Sequence, residues 1–193
     1  MLQLMHKKWA VFCASAQEID VNYVEAAKEV GRTIGEIGGE LIYGGTNLGL
    51  MKVVADATTE FGGKVTGVIP TCIANRGVAA EGLDRLLLVA DMKERKAWMR
   101  QEADVFIALP GGWGTLEEVI ETITLKQLGE HQKPIIFLNI SGFYDGFLKF
   151  LAEITKQGFV SSVYQELYVV LNQVEEILPY LEHYTEKAIE AKY

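Results

Sequence analysis

The sequence predicts an α/β protein in which one domain, residues 1–193, is built on a doubly wound parallel sheet with helices on both faces. Three observations support this fold class. Short apolar runs alternate with amphipathic stretches along the whole chain, as in βαβ units. The apolar runs are continuous rather than alternating, which strands covered on both faces require. Finally, 193 residues, 49% of them hydrophobic, can bury one core of ordinary size but not two.

The strands follow from the continuous apolar runs. The first run is WAVFC, and the third, KVTGVI, ends at Pro70. Proline lacks a backbone N–H and therefore favours the end of a strand in the middle of a sheet. In chain order, the predicted strands are residues 9–13, 40–43, 64–69, 85–90, 105–109, 134–139 and 167–171.

The helices follow from apolar side chains that recur every three or four residues. The first such stripe ends at the glycine pair 38–39, and glycines commonly follow the last turn of a helix. Residues 71–83 show no period and are predicted to be the longest irregular segment, a kind of segment that often carries function. The predicted helices are residues 22–38, 50–61, 92–103, 116–128, 143–157 and 174–184.

The charge balance excludes several function classes. The chain has 18 Lys and Arg against 26 Asp and Glu, so its net charge is −8. An acidic protein lacks the clustered positive charge that grips nucleic-acid phosphates or an anionic membrane surface. No apolar stretch reaches the roughly 18 residues that a membrane span needs. We therefore expect no nucleic-acid partner, no membrane association and a cytoplasmic location.

The sequence also lacks the usual signatures of metal and cofactor sites. Cys13 and Cys72 lie far apart in the chain, and the three histidines do not cluster, so we expect neither a disulfide scaffold nor a metal centre. No GxGxxG follows the first strand, and no Gly-Lys-Ser/Thr completes a Walker A motif. We expect no cofactor.

The sharpest motif is PGGWGTLEE, residues 110–118, between a predicted strand and a predicted helix. Glycines let the backbone approach a ligand closely, and the free N–H groups of a helix's first turn bind anions such as phosphate. The alternative is a purely structural turn in which Thr115 and Glu118 form a capping box. Glu117 has no part in that cap. The loop's candidate ligand contacts are Gly111, Gly112, Trp113, Gly114, Thr115 and Glu117.

Three other segments open onto the same carboxyl edge of the sheet. Gly44 and Gly45 follow the second strand, and Ser15 follows the first, although either segment could be a simple turn. The helix start DMKERKAWMR, residues 91–100, brings Arg95 and Lys96 to this edge. Mixed charges on a helix usually form a solvated face, which is the alternative for this segment. A phosphate anchor beside a carboxylate suits hydrolysis at a carbon that carries a good leaving group, such as a glycosidic carbon.

These motifs together resemble a known family. PGGWGTLEE resembles the PGGxGTxxE signature of the LONELY GUY (LOG) family, the cytokinin riboside 5′-monophosphate phosphoribohydrolases, which are often mislabelled as lysine decarboxylases. Further matches occur in order along residues 9–180: VFCAS, LIYGG with GLM, GVIP, DMKERK, QLG and GFYD.

The resemblance implies a Rossmann-like fold, usually a homodimer, that hydrolyses the N-glycosidic bond of a purine nucleoside 5′-monophosphate to free base and ribose 5-phosphate. It implies that Arg95 and Glu118 are the catalytic pair. It also implies ligand contacts by Lys96, by the glycine loop from Gly112 to Thr115 and by Thr124, in the following helix.

Three positions depart from the family pattern. Gly77 stands where the family usually has a glutamate, and Ala14 and Thr46 each replace a glycine. These departures leave two alternatives open. One is a carrier that binds a nucleotide or a molybdenum cofactor without turnover, and the other is a broader nucleosidase of purine salvage.

Overall fold

The computed structural model describes residues 4–186 and confirms the predicted fold class within them. Residues 1–3 and 187–193 of the predicted domain lie outside the described residues. The seven strands form one sheet, all parallel, in the order β4-β3-β2-β1-β5-β6-β7. They are β1 (Lys8–Phe12), β2 (Glu40–Tyr43), β3 (Lys64–Pro70), β4 (Arg85–Val89), β5 (Val105–Ala108), β6 (Ile135–Leu138) and β7 (Val169–Leu171).

The helices lie near where the periodic stripes predict them, with two shifts of three residues. The last helix begins at Ile177 rather than at residue 174, because Val174–Glu176 form a 3₁₀ turn. The helix after β5 begins at Trp113 rather than at residue 116. The helices are α1 (Val21–Glu36), α2 (Gly49–Glu60), a short α3 (Thr71–Ile73), α4 (Met92–Glu102), α5 (Trp113–Gln127), α6 (Asp145–Lys156) and α7 (Ile177–Glu182). None of the helices in residues 4–186 is both long enough and apolar enough to cross a bilayer.

Two apolar layers cover the sheet, one on each face. On one face, side chains of α1, α2 and α7 pack on the strands; Val30, Val54 and Ile177 are completely buried there. On the other face, α4 and α5 supply Met99 and Val119, and Tyr144 packs beside α6. Because both faces are covered, the buried residues of the central strands β1, β5 and β6 are all apolar.

The strand order determines where along the edge of the sheet a ligand can bind. From β1 the chain moves outward through β2, β3 and β4, and then returns to pair β5 with the other side of β1. In such sheets a crevice opens beyond the carboxyl ends of the strands where the order reverses. The loops that follow β1 and β5 meet at this switch point.

Two regions differ from the sequence-based expectation. The segment predicted to be irregular instead forms α3 followed by a π-helical turn, Ala74–Val78. This segment is bonded to the loop after β2, because the Asn47 N–H donates to the Val78 carbonyl and the Ala80 N–H to the Gly45 carbonyl. The second difference is β4, which forms an edge of the sheet and leaves Leu88 57% exposed.

The contact between α1 and α2 depends on a glycine. A Cβ atom at Gly31 would lie 2.5 Å from the Val54 carbonyl oxygen and 2.7 Å from the Ala57 Cβ. We expect Gly31→Ala to lower the free energy of unfolding by about 1–2 kcal/mol, because overpacking outweighs the helix propensity of alanine. Urea denaturation measures this.

Gly146→Ala is the matched control, because Gly146 lies in α6 with open space around its Cβ position. This variant should show either no change or a gain of up to about 1 kcal/mol. Equal effects of the two substitutions would contradict the close packing of α1 on α2.

Candidate active site

A cleft of about 400 Å³ lies at the switch point, within the part of the chain that the structure describes. Its floor is the end of β1, and the loops after β1, β2 and β5 form its walls together with α3 and the π-helical turn. Its lining includes Cys13, Ala14, Ser15, Gly44, Thr46, Leu48, Met51, Ile73, Arg76, Val78, Arg95, Gly112, Trp113, Gly114, Thr115 and Glu118.

A buried ion pair lies at the centre of this cleft. The Arg95 Nη2 atom is 2.8 Å from the Glu118 Oε1 atom, and the two side chains are only 12% and 7% exposed. Arg95 comes from the first turn of α4, whose N-cap residue Asp91 accepts the Glu94 N–H with its carboxylate. Glu118 comes from the second turn of α5. The pair therefore connects the two helices that follow β4 and β5.

The electrostatics of the cleft are dominated by the cost of burying charge. Burial raises the pKa of Glu118 above its ordinary value, and the Arg95 guanidinium offsets part of this shift. Burial also raises the pKa of the Cys13 thiol strongly, so this side chain stays neutral and is unsuited to act as a nucleophile.

A glycine makes room for the arginine. A Cβ atom at Gly44 would lie 2.7 Å from the Arg95 Nη2 atom and 2.8 Å from the Met51 sulfur. The guanidinium thus passes directly over the backbone at the end of β2. Its Nε atom is buried and has no hydrogen-bond partner within the described residues. A buried donor without an acceptor is costly, so this N–H is suited to a ligand oxygen.

The first turn of α5 presents free backbone donors to the same cleft. Gly112 is the N-cap residue; it has no side chain with which to cap the helix, and no acidic residue lies in the first turn. The N–H groups of Trp113, Gly114 and Thr115 precede the first helical hydrogen bond, from the Leu116 N–H to the Gly112 carbonyl. With the helix dipole, they form an anion site.

The capping-box alternative for this loop is wrong. It requires Thr115 at the N-cap, whereas Thr115 lies inside the helix, and the carboxylate of Glu118 turns to Arg95 instead. The sequence matches the capping-box pattern Thr-x-x-Glu. In the structure, however, the Glu118 side chain binds Arg95 of α4. The solvated-face alternative for the start of α4 fails at Arg95 for the same reason.

The structure brings together eight of the residues singled out in the sequence and leaves five outside the cleft lining. Lys96 instead binds Glu117 and Glu121 of α5, and Thr124 lies in an apolar groove between α5 and α6. Gly45 and Gly111 are backbone neighbours of lining residues. Those in the lining are Ser15, Gly44, Arg95, Gly112, Trp113, Gly114, Thr115 and Glu118, and those outside it are Gly45, Lys96, Gly111, Glu117 and Thr124.

Sequence reasoning noted that the segment after β3 was of a kind that often carries function, but it did not name the residues of this segment that line the cleft. Ile73, Arg76 and Val78 line the cleft from the side opposite α5. A segment without hydrophobic periodicity does not show which side chains point toward the sheet edge. The presence of Arg76 in an acidic chain was nevertheless a signal that could have indicated an anion-binding residue. The adjoining Gly77 has φ +75°, a backbone conformation that favours glycine, and its Cβ position is open.

The chemistry available in the cleft is therefore limited to a few groups. It holds one carboxylate, two guanidinium groups, a set of backbone N–H donors, the neutral Cys13 thiol and three hydroxyl groups, and apolar side chains border it. The hydroxyls belong to Ser15, Thr46 and Thr115. Residues 4–186 contain no cluster of three or more His, Cys, Asp or Glu side chains that could hold a metal ion. This arrangement suits an anionic ligand and acid–base or electrostatic catalysis by a carboxylate.

Comparison with known proteins shows the family. A family model described as "Possible lysine decarboxylase" matches residues 51–181. The cytokinin riboside 5′-monophosphate phosphoribohydrolase LOG of Oryza sativa subsp. japonica is 42% identical over 178 residues, covering 92% of this chain and 74% of that protein. LOG2 of Arabidopsis thaliana, which carries the same activity in its name, is 39% identical over 181 residues, covering 94% and 85%. The chain belongs to the LOG family.

Solved structures of lower identity share the fold. The molybdenum cofactor binding protein of Rippkaea orientalis has a TM-score of 0.70 at 20% identity, over 92% of this chain and 96% of that one. The Moco carrier protein of Chlamydomonas reinhardtii has a TM-score of 0.69 at 21% identity, over the same shares. These matches confirm the Rossmann-like architecture.

The ion pair leads to a prediction about stability. Arg95→Met removes the cation and leaves the Glu118 carboxyl buried, which should cost about 3 kcal/mol at pH 8. A carboxyl whose pKa is raised on folding stabilises the protein at low pH and loses this contribution as the pH rises. The cost should therefore shrink at pH 5, where Glu118 can take up a proton. Urea denaturation at the two pH values measures the difference.

Arg95→Met combined with Glu118→Gln is the control, since it removes the buried charge together with its partner. Most of the lost stability should return in this double variant. A loss that is equal at both pH values and persists in the double variant would show that Arg95 acts through packing rather than through charge.

Proposed function

We propose that this protein hydrolyses the N-glycosidic bond of a purine nucleoside 5′-monophosphate, cytokinin-type or AMP, to free base and ribose 5-phosphate. The observation that carries the proposal is the Arg95–Glu118 pair, buried 2.8 Å apart beside the free N–H groups of the first turn of α5. A phosphate site and a buried carboxylate lie in one cleft, as this hydrolysis requires. The curated relatives are named for this activity.

The first step is binding of the 5′-phosphate. The N–H groups at the start of α5 bind its oxygens, as helix N-termini bind phosphate in other proteins. Arg95 cannot balance this dianion alone, because its charge is already compensated by Glu118. Arg76, on the opposite side of the cleft, supplies the additional positive charge. The phosphate thereby fixes the ribose over the carboxylate.

The second step is cleavage at the anomeric carbon. As the bond to the base breaks, the ribose ring develops the charge of an oxocarbenium ion, and the Glu118 carboxylate either stabilises that charge or activates the attacking water. Arg95 holds the carboxylate in place, and its buried Nε–H is free to bind the ribose. Because Glu118 acts in its ionised form and its pKa is raised, activity should fall as the pH is lowered, beginning at a higher pH than an ordinary glutamate would give.

A carrier function is the alternative. Its support is that Ala14 and Thr46 both line the cleft, so their side chains occupy space where the family pattern has glycine. A ligand could then be held without being turned over. The intact catalytic pair favours the hydrolase, and an assay for free base separates the two functions.

We also propose that the protein is a homodimer. An apolar groove between α5 and α6, lined by Ile120, Ile123 and Leu151, lies beside Thr124, and Trp113 is 90% exposed at the mouth of the cleft. A second copy would cover these side chains, and sedimentation equilibrium of the purified protein tests this. We propose a cytoplasmic location, which suits the free thiols of Cys13 and Cys72, and cell fractionation tests it.

Loss of the carboxylate charge should remove catalysis. We expect Glu118→Gln to lower kcat by roughly 10²- to 10⁴-fold, as is typical for the loss of a positioned acid–base group. The assay is chromatography of free base released from AMP and, separately, from isopentenyladenosine monophosphate. The ratio of the two rates distinguishes cytokinin activation from general purine salvage.

Glu121→Gln is the matched control, because Glu121 lies one turn further along α5 and binds Arg100 and Lys96, neither of which lines the cleft. It should retain nearly full activity. If Glu118→Gln also released base at the normal rate, Glu118 would have no part in the mechanism. Tight nucleotide binding without base release by the wild-type protein would favour the carrier.

Arg76 provides a separate test of phosphate binding. We expect Arg76→Ala to raise KM for a nucleoside monophosphate by about 10- to 100-fold with little change in kcat, because a hydrogen bond to a charged group is lost. Arg76→Lys should retain part of the affinity. Arg32→Ala, on the remote face of α1, is the control. An unchanged KM in Arg76→Ala would place the phosphate away from this side chain.

A further inference from the structure

A second cleft lies near the far end of α5. The first turn of this helix forms the anion site, whereas its last turn, at the opposite edge of the sheet, carries Lys126. There a cleft of about 440 Å³ opens between the end of α5, the segment that leads into β7, and the residues after α7. It is lined by Lys126, Gln165, Tyr168, Tyr180, His183 and Tyr184, among others.

The Lys126 side chain is the unusual feature of this cleft. The residue is 5% exposed, and its Nζ atom donates to the Tyr184 hydroxyl at 3.0 Å. That hydroxyl donates its own proton to the Gln132 carbonyl at 2.6 Å, so toward the lysine it can only accept. Within residues 4–186, no carboxylate lies within ion-pair distance of this ammonium group, although it carries three N–H donors.

The surroundings make this a costly place for a charge. Burial lowers the pKa of Lys126 to about 8, and the carboxylate of Glu186 offsets only part of the effect. Burial raises the pKa values of the three nearby tyrosines and lowers that of His131 to about 4, so these groups stay neutral near pH 7.5. The titratable groups around the ammonium are Tyr168, Tyr180, Tyr184, His131, His183, Glu166 and Glu186.

We propose that this cleft is a binding site for a small aromatic monocarboxylate, with its carboxylate on the Lys126 ammonium group and its ring among the tyrosines. A bound carboxylate supplies the missing counter-ion and so relieves the cost of the buried charge. Tyr180 and Tyr184, whose ring centroids are 5.7 Å apart, offer the faces and edges against which an aromatic ring packs.

The charges around the cleft favour a ligand with a single negative charge. The cleft offers one buried cation, and the carboxylates of Glu166 and Glu186 lie near it. A phosphate dianion would need further positive groups, as in the other cleft, where two arginines and a helix N-terminus are present. Lys126 lies eight residues after Glu118, roughly 12 Å along the helix axis, so the site is separate from the proposed catalytic centre. The inference does not depend on the hydrolase function.

Titration calorimetry with benzoate tests the proposal. Wild-type protein should bind benzoate at pH 7.5 and bind it about 20-fold more weakly at pH 9.5, because the ammonium loses its proton as the pH rises through 8. Benzamide, which has the ring but no charge, should bind far more weakly, and inorganic phosphate should not displace benzoate. Absence of benzoate binding, or preference for phosphate, would overturn the proposal.

Variants locate the site. Lys126→Met should abolish benzoate binding, whereas Lys126→Arg should bind with little change between the two pH values, because arginine keeps its charge. Lys149→Met, an exposed lysine of α6, is the control for loss of a charge. Circular dichroism shows whether each variant is folded. Unchanged binding by folded Lys126→Met, or loss of binding in Arg76→Ala, would place benzoate elsewhere and refute the site.

Discussion

A carboxylate that is 7% exposed needs a cation beside it, and several features of the cleft follow from this requirement at Glu118. The guanidinium of Arg95 meets that need from another helix, so α4 and α5 have to lie side by side at the carboxyl edge of the sheet. Gly44 has to lack a side chain, because a Cβ atom there would contact the guanidinium. The Cys13 thiol, buried next to the pair, stays neutral. The ion pair thus determines both the shape and the charge of the cleft.

The sheet's topology supplies the rest of the site. Because the strand order reverses at β1, a crevice opens beyond the carboxyl ends of β1 and β5, where their following loops meet. The loop after β5 enters α5 with no side-chain cap, so the helix presents unsatisfied N–H groups to that crevice. The phosphate-binding donors and the carboxylate lie on the same helix, about one turn apart. This fixed spacing is what makes hydrolysis of a phosphorylated substrate a reasonable reaction for the fold.

The same helix illustrates why buried charges are informative. At its start, an acidic side chain is paired within the protein, and the paired group becomes a candidate for catalysis. At its end, Lys126 is buried with a tyrosine hydroxyl and a tyrosine ring but no carboxylate in the described residues at ion-pair distance. The charge of Glu118 thus has its counter-ion within the chain. An unpaired buried charge favours a ligand, and this contrast underlies the assignment of the second cleft.

The sequence by itself determined the fold class, the seven strands and the six long predicted helices, because hydrophobic periodicity is a local property that burial on a sheet requires. It also identified the loop after β5 and the residues Arg95 and Glu118. The sequence-based prediction placed the start of α5 three residues too late. Local capping rules consider only neighbouring residues and therefore do not include the ion pair of Glu118 with Arg95 of another helix. Tertiary structure alone decided that Arg76 lines the cleft and that Thr124 lies outside it. Contacts between residues distant in the chain depend on how helices pack across the sheet, and no local pattern records that packing.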